Sequence, residues 1–538
     1  MKFNFSKFLE RIEKIEPYLY LFFLIFISYR WILQTLPFLD IDIYDELRTI
    51  RLIKGLVAEY NWTIDYFLLY APWYKFLSIF FPNPIDLYYA NMWIILLSLT
   101  ILFYLLLLKI SNNPFSSFLA VLFFIFAPEV NLFRKKQIYF ATIIVLIHHL
   151  IATYAPKKNE YPILLVGYIL GSFAHPQFSF GAVLILLFYI HEHRFKKKEL
   201  GKISIIIFAV ICKCYLTRHI ATSSFLGYND FRTGVDPSDD AASKVLISNY
   251  KYRNTESVTT LIISNYKEII THVIYNSRHL PQDAWQMLTS GIKVIGPILF
   301  LFSLLFYFLH FLITKNFSQF TSLNLKNVRI PLPYRIALLA TTGQALISCL
   351  FFFSKRISMF PLYVFFSGTF AFFVEDKNVI RRINFIFILF PFLVTLMNSH
   401  YMQRKIIATL PSKYLSSPTL IYSMAFDILS HHPMQIPFNI LEKTEYLHFF
   451  FQNAQGTSLP CPLTPTLTEH CRKIIGQFIQ SDHWNVIVNP DDFNAVVSTP
   501  PSWNDPSLWY PLTQRNPNTQ RKIKILVKRK LLIKKISS

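Results

Sequence analysis

Glycine is scarce: 13 residues in a chain of 538, no two of them two positions apart, so the G-x-G-x-x-G nucleotide fingerprint is absent. The one G-x-x-x-x-G spacing, Gly291 to Gly296, runs on into Pro297 instead of the Lys-Ser/Thr of a phosphate-binding loop. There is no G-x-S-x-G nucleophile elbow, and His191-Glu192-His193 lacks the one-turn spacing that lets two histidines on one helix face hold zinc. The five cysteines are too scattered for a disulfide framework or a zinc module. Only Cys461 and Cys471 stand where they could pair, and only if their segment faces an oxidising compartment. Charge is thin too, at 16% of residues against 53% hydrophobic, where a soluble domain carries about 25% charged. What fills the chain instead is apolar and aromatic bulk, 54 Phe and 30 Tyr among it. The composition is that of an integral membrane protein.

Apolar runs at 18–36, 90–108, 118–133, 138–154, 203–218, 292–312, 336–353, 357–373 and 383–397 approach the roughly 20 residues a transmembrane helix needs. The first follows Lys2, Lys7, Arg11 and Lys14, but it is long and has no Ala-x-Ala-like cleavage site, so it reads as a retained span and not a signal peptide. The run 162–190 is interrupted by His175-Pro176. Each half holds about 13 residues, roughly 20 Å of helix against a hydrocarbon core of roughly 30 Å. Lys157 and Lys158 precede this run, and Arg194, Lys196, Lys197, Lys198 and Lys202 follow it. The positive-inside rule therefore wants both ends on the cytoplasmic side, which a hairpin of two short helices satisfies and one kinked span does not.

With the hairpin counted as two crossings, the expectation is an α-helical polytopic membrane protein of about 11 transmembrane helices, N-terminus inside and C-terminus outside. Residues 1–17 form a cytosolic N-terminal segment, 18–399 the membrane domain with outer loops 37–87 and 219–290, and 400–538 a small mixed α/β soluble domain on the outer face. Much of the net charge of +22 falls between apolar runs, where it orients spans; a nucleic-acid partner is not expected. The tail ends in the basic and apolar stretch 521–530, read either as a solvated edge strand or frayed terminus, or as a segment adhering to anionic lipid. Arg134, Lys135, Lys136, Lys355 and Arg356 break the rule by falling on the outer side.

The first outer loop carries the chemistry. Asp40, Asp42, Asp45 and Glu46 crowd into seven consecutive positions directly after the first span. Like charges at this spacing raise one another's pKa unless a cation sits among them, which suits one carboxylate to general-base work and its neighbours to a divalent ion. Capping a following helix, which stabilises by about 0.3–1 kcal/mol, accounts for one or two of these acids and not for four. His175, beside the proline break, is a candidate at the outer mouth, although a histidine also serves there by satisfying freed backbone groups. Gly167 and Gly171 form G-x-x-x-G in the same hairpin, a spacing that suits close helix packing.

The run Asp45-Glu46-Leu47-Arg48, then Gly55, Asn61-Trp62 and Ala71-Pro72-Trp73-Tyr74, resembles the first outer loop of GT-C glycosyltransferases, in the protein mannosyltransferase and aminoarabinose transferase branch. The resemblance covers about residues 18 to 200 and takes in Pro128 with the basic residues after it and the short-helix pair around Ala174-His175-Pro176. It implies a GT-C-like fold and transfer of a sugar from a polyprenyl-phosphate donor to an envelope glycan, lipid or protein on the outer face of the cytoplasmic (inner) membrane. Asp45 would be the base and Glu46 its assistant. Asp42 and Asp45 could hold a divalent cation, Mg or Mn. Asp40, Asp42, Arg48, Lys75, Arg134, Lys135, His175 and Arg356 would bind substrate. The branch places a Lys just before a double Pro, whereas Leu69-Tyr70-Ala71 precede a single Pro72 here and the nearest Lys is Lys75. Two other classes share the span count and basic outer loops: a lipid-linked glycan flippase or transporter, and an O-antigen-like polymerase.

Overall fold

The structure is a computed structural model that describes residues 5–35, 69–81, 84–126, 136–175, 177–193, 266–314, 324–325, 330–351, 359–372, 374–375, 378–397, 438–441, 454–456, 484–494, 498–515 and 522–529, with single positions between 473 and 480. It is mostly helical. The helices are α1 (Phe5–Thr35), α2 (Tyr70–Phe80), α3 (Pro84–Ser111), α4 (Pro114–Ile125), α5 (Lys136–Tyr154), α6 (Glu160–Ala174), α7 (Phe178–His193), α8 (Tyr266–Leu288), α9 (Ser290–Thr314), α10 (Leu332–Phe351), α11 (Phe360–Gly368) and α12 (Val379–Met397). Two stretches among the described residues, Ala90–Ser111 and Gln137–Tyr154, are long and apolar enough to cross a membrane by length and composition. The expected spans at 118–133 and 357–373 appear as shorter apolar helices, and the run at 203–218 lies outside the described residues.

Local sequence sets the helix boundaries. Between α3 and α4 the chain turns at Asn112, whose φ of 51° is left-handed and tolerated by Asn. Asn113 then caps α4 by accepting from the Ser116 amide at 3.2 Å, and Pro114 occupies the first helical position, where its missing N–H costs nothing. His175 ends α6 in an extended conformation, φ −150° and ψ 125°, as a residue preceding proline must. Its amide still donates to the Gly171 carbonyl at 2.9 Å, and its own carbonyl accepts from the Phe178 amide at 3.2 Å.

Helices α6 and α7 form the antiparallel hairpin expected from the charge pattern. Tyr161 meets Tyr189 at one end with ring centroids 6.1 Å apart, and Tyr168 meets Phe178 near the apex, also at 6.1 Å. Helix α5 packs antiparallel on α6 through the two glycines of G-x-x-x-G. A Cβ on Gly171 would sit 3.3 Å from Val145 Cγ2, and one on Gly167 would strike His148. Gly181 of α7 abuts the Tyr168 ring in the same manner. Three glycines on two helices thus let α5, α6 and α7 approach more closely than side chains would permit.

Contacts along the body fix the direction of the other helices. Lys109 lies 4.3 Å over the Tyr154 ring, while Tyr70 and Trp73, both hydrogen-bonded to Asn91 of α3, each lie 5.5 Å from Phe140, so α3 and α5 run parallel. Helix α1 runs against α3, with Tyr29 on Trp93 at 4.6 Å and Tyr104 donating to the Pro17 carbonyl at 3.0 Å. Helix α12 runs with α1 and against α9, through Phe23–Phe390 at 4.4 Å and Phe302–Phe392 at 5.7 Å. Helix α11 begins beside Tyr139 and Phe124, and the turn after it reaches Ser116, which donates to the Ala371 carbonyl at 2.8 Å. In the first turn of α10 the Tyr334 hydroxyl donates to the Phe365 carbonyl at 2.6 Å, and the helix runs against α7.

The body therefore has two ends. Lys109, Lys157, Tyr334-Arg335 and Arg381-Arg382 gather at one, the basic end; the turn at His175 marks the other, the apex end. At the basic end Glu16, 1% exposed, receives a two-pronged contact from Arg382, Nε to Oε1 and Nη2 to Oε2 both at 2.7 Å, while Tyr20 Oη donates to Oε1 at 2.6 Å. The pair ties α1 to the start of α12. On the flank of the body α9 leaves Phe300, Leu301, Leu304, Leu305, Phe308 and Leu312 exposed, an apolar stripe of a kind that soluble surfaces rarely carry.

The C-terminal segment carries its own apolar core around Trp484, Phe493, Trp503 and Trp509. Strands β3 (Phe438–Leu441), β4 (Ala454–Gly456), β5 (Val486–Val488), β6 (Trp509–Arg515) and β7 (Lys522–Lys528) form one mixed sheet in the order β4-β3-β5-β7-β6; Asn324–Leu325 and Val374–Glu375, which are β1 and β2, pair separately. The basic stretch 521–530 was expected at an edge, a frayed end or a lipid surface. Instead β7 lies inside the sheet between β5 and β6, with Ile525, Leu526 and Val527 buried. Those three residues are spent on the core and unavailable to lipid. Its cations turn to neighbouring rings, Lys528 over Trp509 at 5.6 Å and Arg529 over Tyr510 at 5.5 Å. In the turn before β6, Asp505 accepts from Ser507 Oγ at 2.6 Å and from its amide at 2.8 Å, which holds the carboxyl below its ordinary range.

Replacing Glu16 with Gln removes the carboxylate that takes the two-pronged contact from Arg382 and should lower stability by about 3 kcal/mol. Unfolding of the detergent-solubilised chain measures this, and a loss below about 1 kcal/mol, the scale of an exposed pair, would show the pair to be solvated.

Candidate functional site

The apex end is organised by one buried asparagine. Asn91, at the start of α3 and fully buried, donates through Nδ2 to Tyr70 Oη and Tyr74 Oη, both at 2.8 Å, and accepts from Trp73 Nε1 at 2.7 Å. Both donors and the acceptor of the amide are thus engaged, so the group is stabilised in an apolar setting where an unpaired amide would be expensive. All three partners belong to α2, which the hub fixes to α3 while its rings pack on Phe140 of α5. Helix α2 keeps Phe76, Ile79 and Phe80 exposed on its far side.

Of the residues named from sequence, Asp40, Asp42, Asp45, Glu46, Arg48, Arg134, Lys135 and Arg356 lie outside the described residues. The described residues that border them are informative. The acid-rich stretch is flanked by the end of α1, where Tyr29 packs on Trp93, and by the start of α2, held on Asn91. Arg134 and Lys135 directly precede α5, whose Tyr139 lies 4.1 Å from Phe360. Arg356 falls between α10 and α11, the latter beginning at that same Phe360. All of these flanks stand at the apex end.

Lys75 lies on the exposed side of α2, and its carbonyl accepts from Ser78 Oγ at 2.7 Å. His175 is half-buried at the hairpin turn, its backbone engaged on both sides of the break as described. Lys75 and His175 are therefore the two named residues that the structure describes, and each stands at the apex end. Among the described residues no group of three or more His, Cys, Asp or Glu is arranged to hold a metal ion; Asp42 and Asp45 fall outside that set.

Sequence reading missed a second polar feature, deeper in the body. His149 of α5 lies 6.1 Å from Tyr168 of α6, edge to face. The position a Cβ on Gly181 would take touches the Tyr168 ring and lies 3.0 Å from Gln344 Oε1 of α10. His149 Nε2, Tyr168 Oη and both amide atoms of Gln344 are buried without a hydrogen-bond partner among the described residues. Scattered single letters in three apolar helices gave no spacing signal; the His149–Tyr168 ring contact and the surroundings of Gly181 bring them together.

No family model matches the chain, and no curated protein matches it.

Asn91→Ala removes the three hydrogen bonds that join α2 to α3, so stability should fall by about 1–3 kcal/mol. Limited proteolysis in the presence of detergent should also show earlier cleavage within residues 37–69; unchanged stability and cleavage would mean that α2 is held by its ring contacts alone.

Proposed function

We propose that the chain is a membrane glycosyltransferase of GT-C type that moves a sugar from a polyprenyl-phosphate donor to an envelope acceptor on the outer face of the cytoplasmic membrane, with inversion at the anomeric carbon. The observation that carries this reading is the convergence at the apex end. The described borders of the acid-rich loop and of both rule-breaking basic clusters, together with His175 and Lys75, stand at one end of the helical body, opposite Lys109, Lys157, Arg335, Arg381 and Arg382. That charge division supports a cytoplasmic basic end under the positive-inside rule, and the exposed stripe on α9 supports a face turned to lipid. About 11 crossings follow from the expected runs if the run at 203–218, outside the described residues, crosses once between α7 and α9.

In this reading Asp45 takes the proton of the acceptor hydroxyl as its oxygen bonds to the anomeric carbon and the bond from that carbon to the phosphate oxygen breaks. Glu46 assists through the acceptor and the charge balance of the loop. The polyprenyl phosphate leaves with the bonding electrons, and Arg134, Lys135 and Arg356 stabilise its charge, with Lys75 and His175 at the rim. Asp40, Asp42 and Arg48 orient the donor and acceptor around the base. Carboxylates suit Mg or Mn, so Asp42 and Asp45 would hold a divalent ion if transfer requires one.

Asp45→Asn should abolish transfer from polyprenyl-phosphate sugar while the protein still inserts and accumulates normally. Near-wild-type turnover by this variant in reconstituted membranes would sink the assignment.

A further inference from the structure

The buried polar cluster on α5, α6, α7 and α10 has no part in the chemistry above. Three features define what it can bind. First, burial: His149, Tyr168 and Gln344 expose 3%, 0% and 0% of their surfaces, yet His149 Nε2, Tyr168 Oη and the Gln344 amide lack hydrogen-bond partners among the described residues. In an apolar body each such atom is costly unless something hydrogen-bonds it. Second, position: α10 runs against α7, so Ser348, one turn beyond Gln344, and Gln177, four residues before Gly181, both lie toward the apex end. Both are buried, with Ser348 Oγ and both Gln177 amide atoms likewise unpartnered among the described residues. The polar groups thus lead from the hairpin turn into the body.

Third, charge: no Asp, Glu, Lys or Arg occurs in Gln137–Tyr154 of α5, Tyr161–Ala174 of α6, Phe178–His191 of α7 or residues 336–351 of α10. The site offers amides, a phenol, a hydroxyl and an imidazole, groups that donate and accept without a fixed charge. Such a set matches the hydroxyls of an uncharged sugar. It offers nothing to balance an ammonium, a carboxylate or a phosphate, which a buried site must pair.

We propose that Gln344, Tyr168 and His149, reached past Gln177 and Ser348, recognise an uncharged polyhydroxylated headgroup, so that the sugar carried by the donor lipid is neutral. This rests on the glycosyltransferase reading and deepens it by naming the class of sugar.

The test is equilibrium binding to the full chain in nanodiscs with three probes: polyprenyl phosphate, polyprenyl-phosphate hexose, and polyprenyl phosphate bearing an amino sugar. The hexose should strengthen binding about tenfold over the bare lipid, the worth of one or two hydrogen bonds in a buried site, and the amino sugar should not. Gln344→Leu and Tyr168→Phe should each abolish most of that gain and leave the bare lipid's affinity unchanged. Tyr168→Phe keeps the ring against Gly181, so its fold is secure even if Gln344→Leu repacks. Equal affinity for the hexosyl and bare lipids, a preference for the amino sugar, or a gain that survives both substitutions would overturn the proposal while leaving lipid-phosphate transfer standing. Failure of the bare lipid to bind at all would overturn both readings.

Discussion

Close contact among α5, α6 and α7 is the constraint on which the helical body depends. Gly167, Gly171 and Gly181 leave room for His148, Val145 and the Tyr168 ring, and a methyl group at Gly167 or Gly181 would collide with the neighbouring helix. Because these helices lie so near one another, the two short helices of the hairpin share one packed core with α5 and present their turn at a defined end. The same proximity sets Tyr168 beside His149 and brings Gln344 of α10 against Gly181. In an interior dominated by dispersion and shape, the small residues decide which polar groups meet.

Around that core, a few polar contacts join elements far apart in sequence. Glu16 and Arg382 are separated by 366 residues, and their bidentate contact with Tyr20 closes the body between its first and last helices. Asn91 does the corresponding work at the apex end, where three hydrogen bonds hold α2 to α3. Both hubs are fully coordinated, as low-dielectric surroundings demand. The His149–Tyr168–Gln344 cluster differs, since its polar atoms stand without partners among the described residues.

Much of the architecture could be read from the chain. Apolar runs located most helices because backbone groups in an apolar setting must be satisfied within the helix itself, and Pro176 between two basic flanks was enough to anticipate the hairpin. The tail was misread because Lys522 to Lys528 alternates charge with apolar residues as an edge strand does; its place inside the sheet depends on pairing with β5 and β6, which no local pattern encodes. Glu16 passed as one more charge in the N-terminal segment, and Asn91 as one polar letter in a span. Of the site, the acids of the first loop were conspicuous by their density, whereas Tyr168 and Gln344 became visible only through the glycine beside them.

The stereochemistry of one turnover tests the proposed inverting sugar transfer from a lipid phosphate. The purified chain in nanodiscs, given synthetic polyprenyl-phosphate hexose of known anomeric configuration and a membrane extract as acceptor source, should release polyprenyl phosphate and form a glycoside of the opposite configuration, read by NMR of the isolated product. Retained configuration, or intact donor after prolonged incubation with active protein, would contradict it.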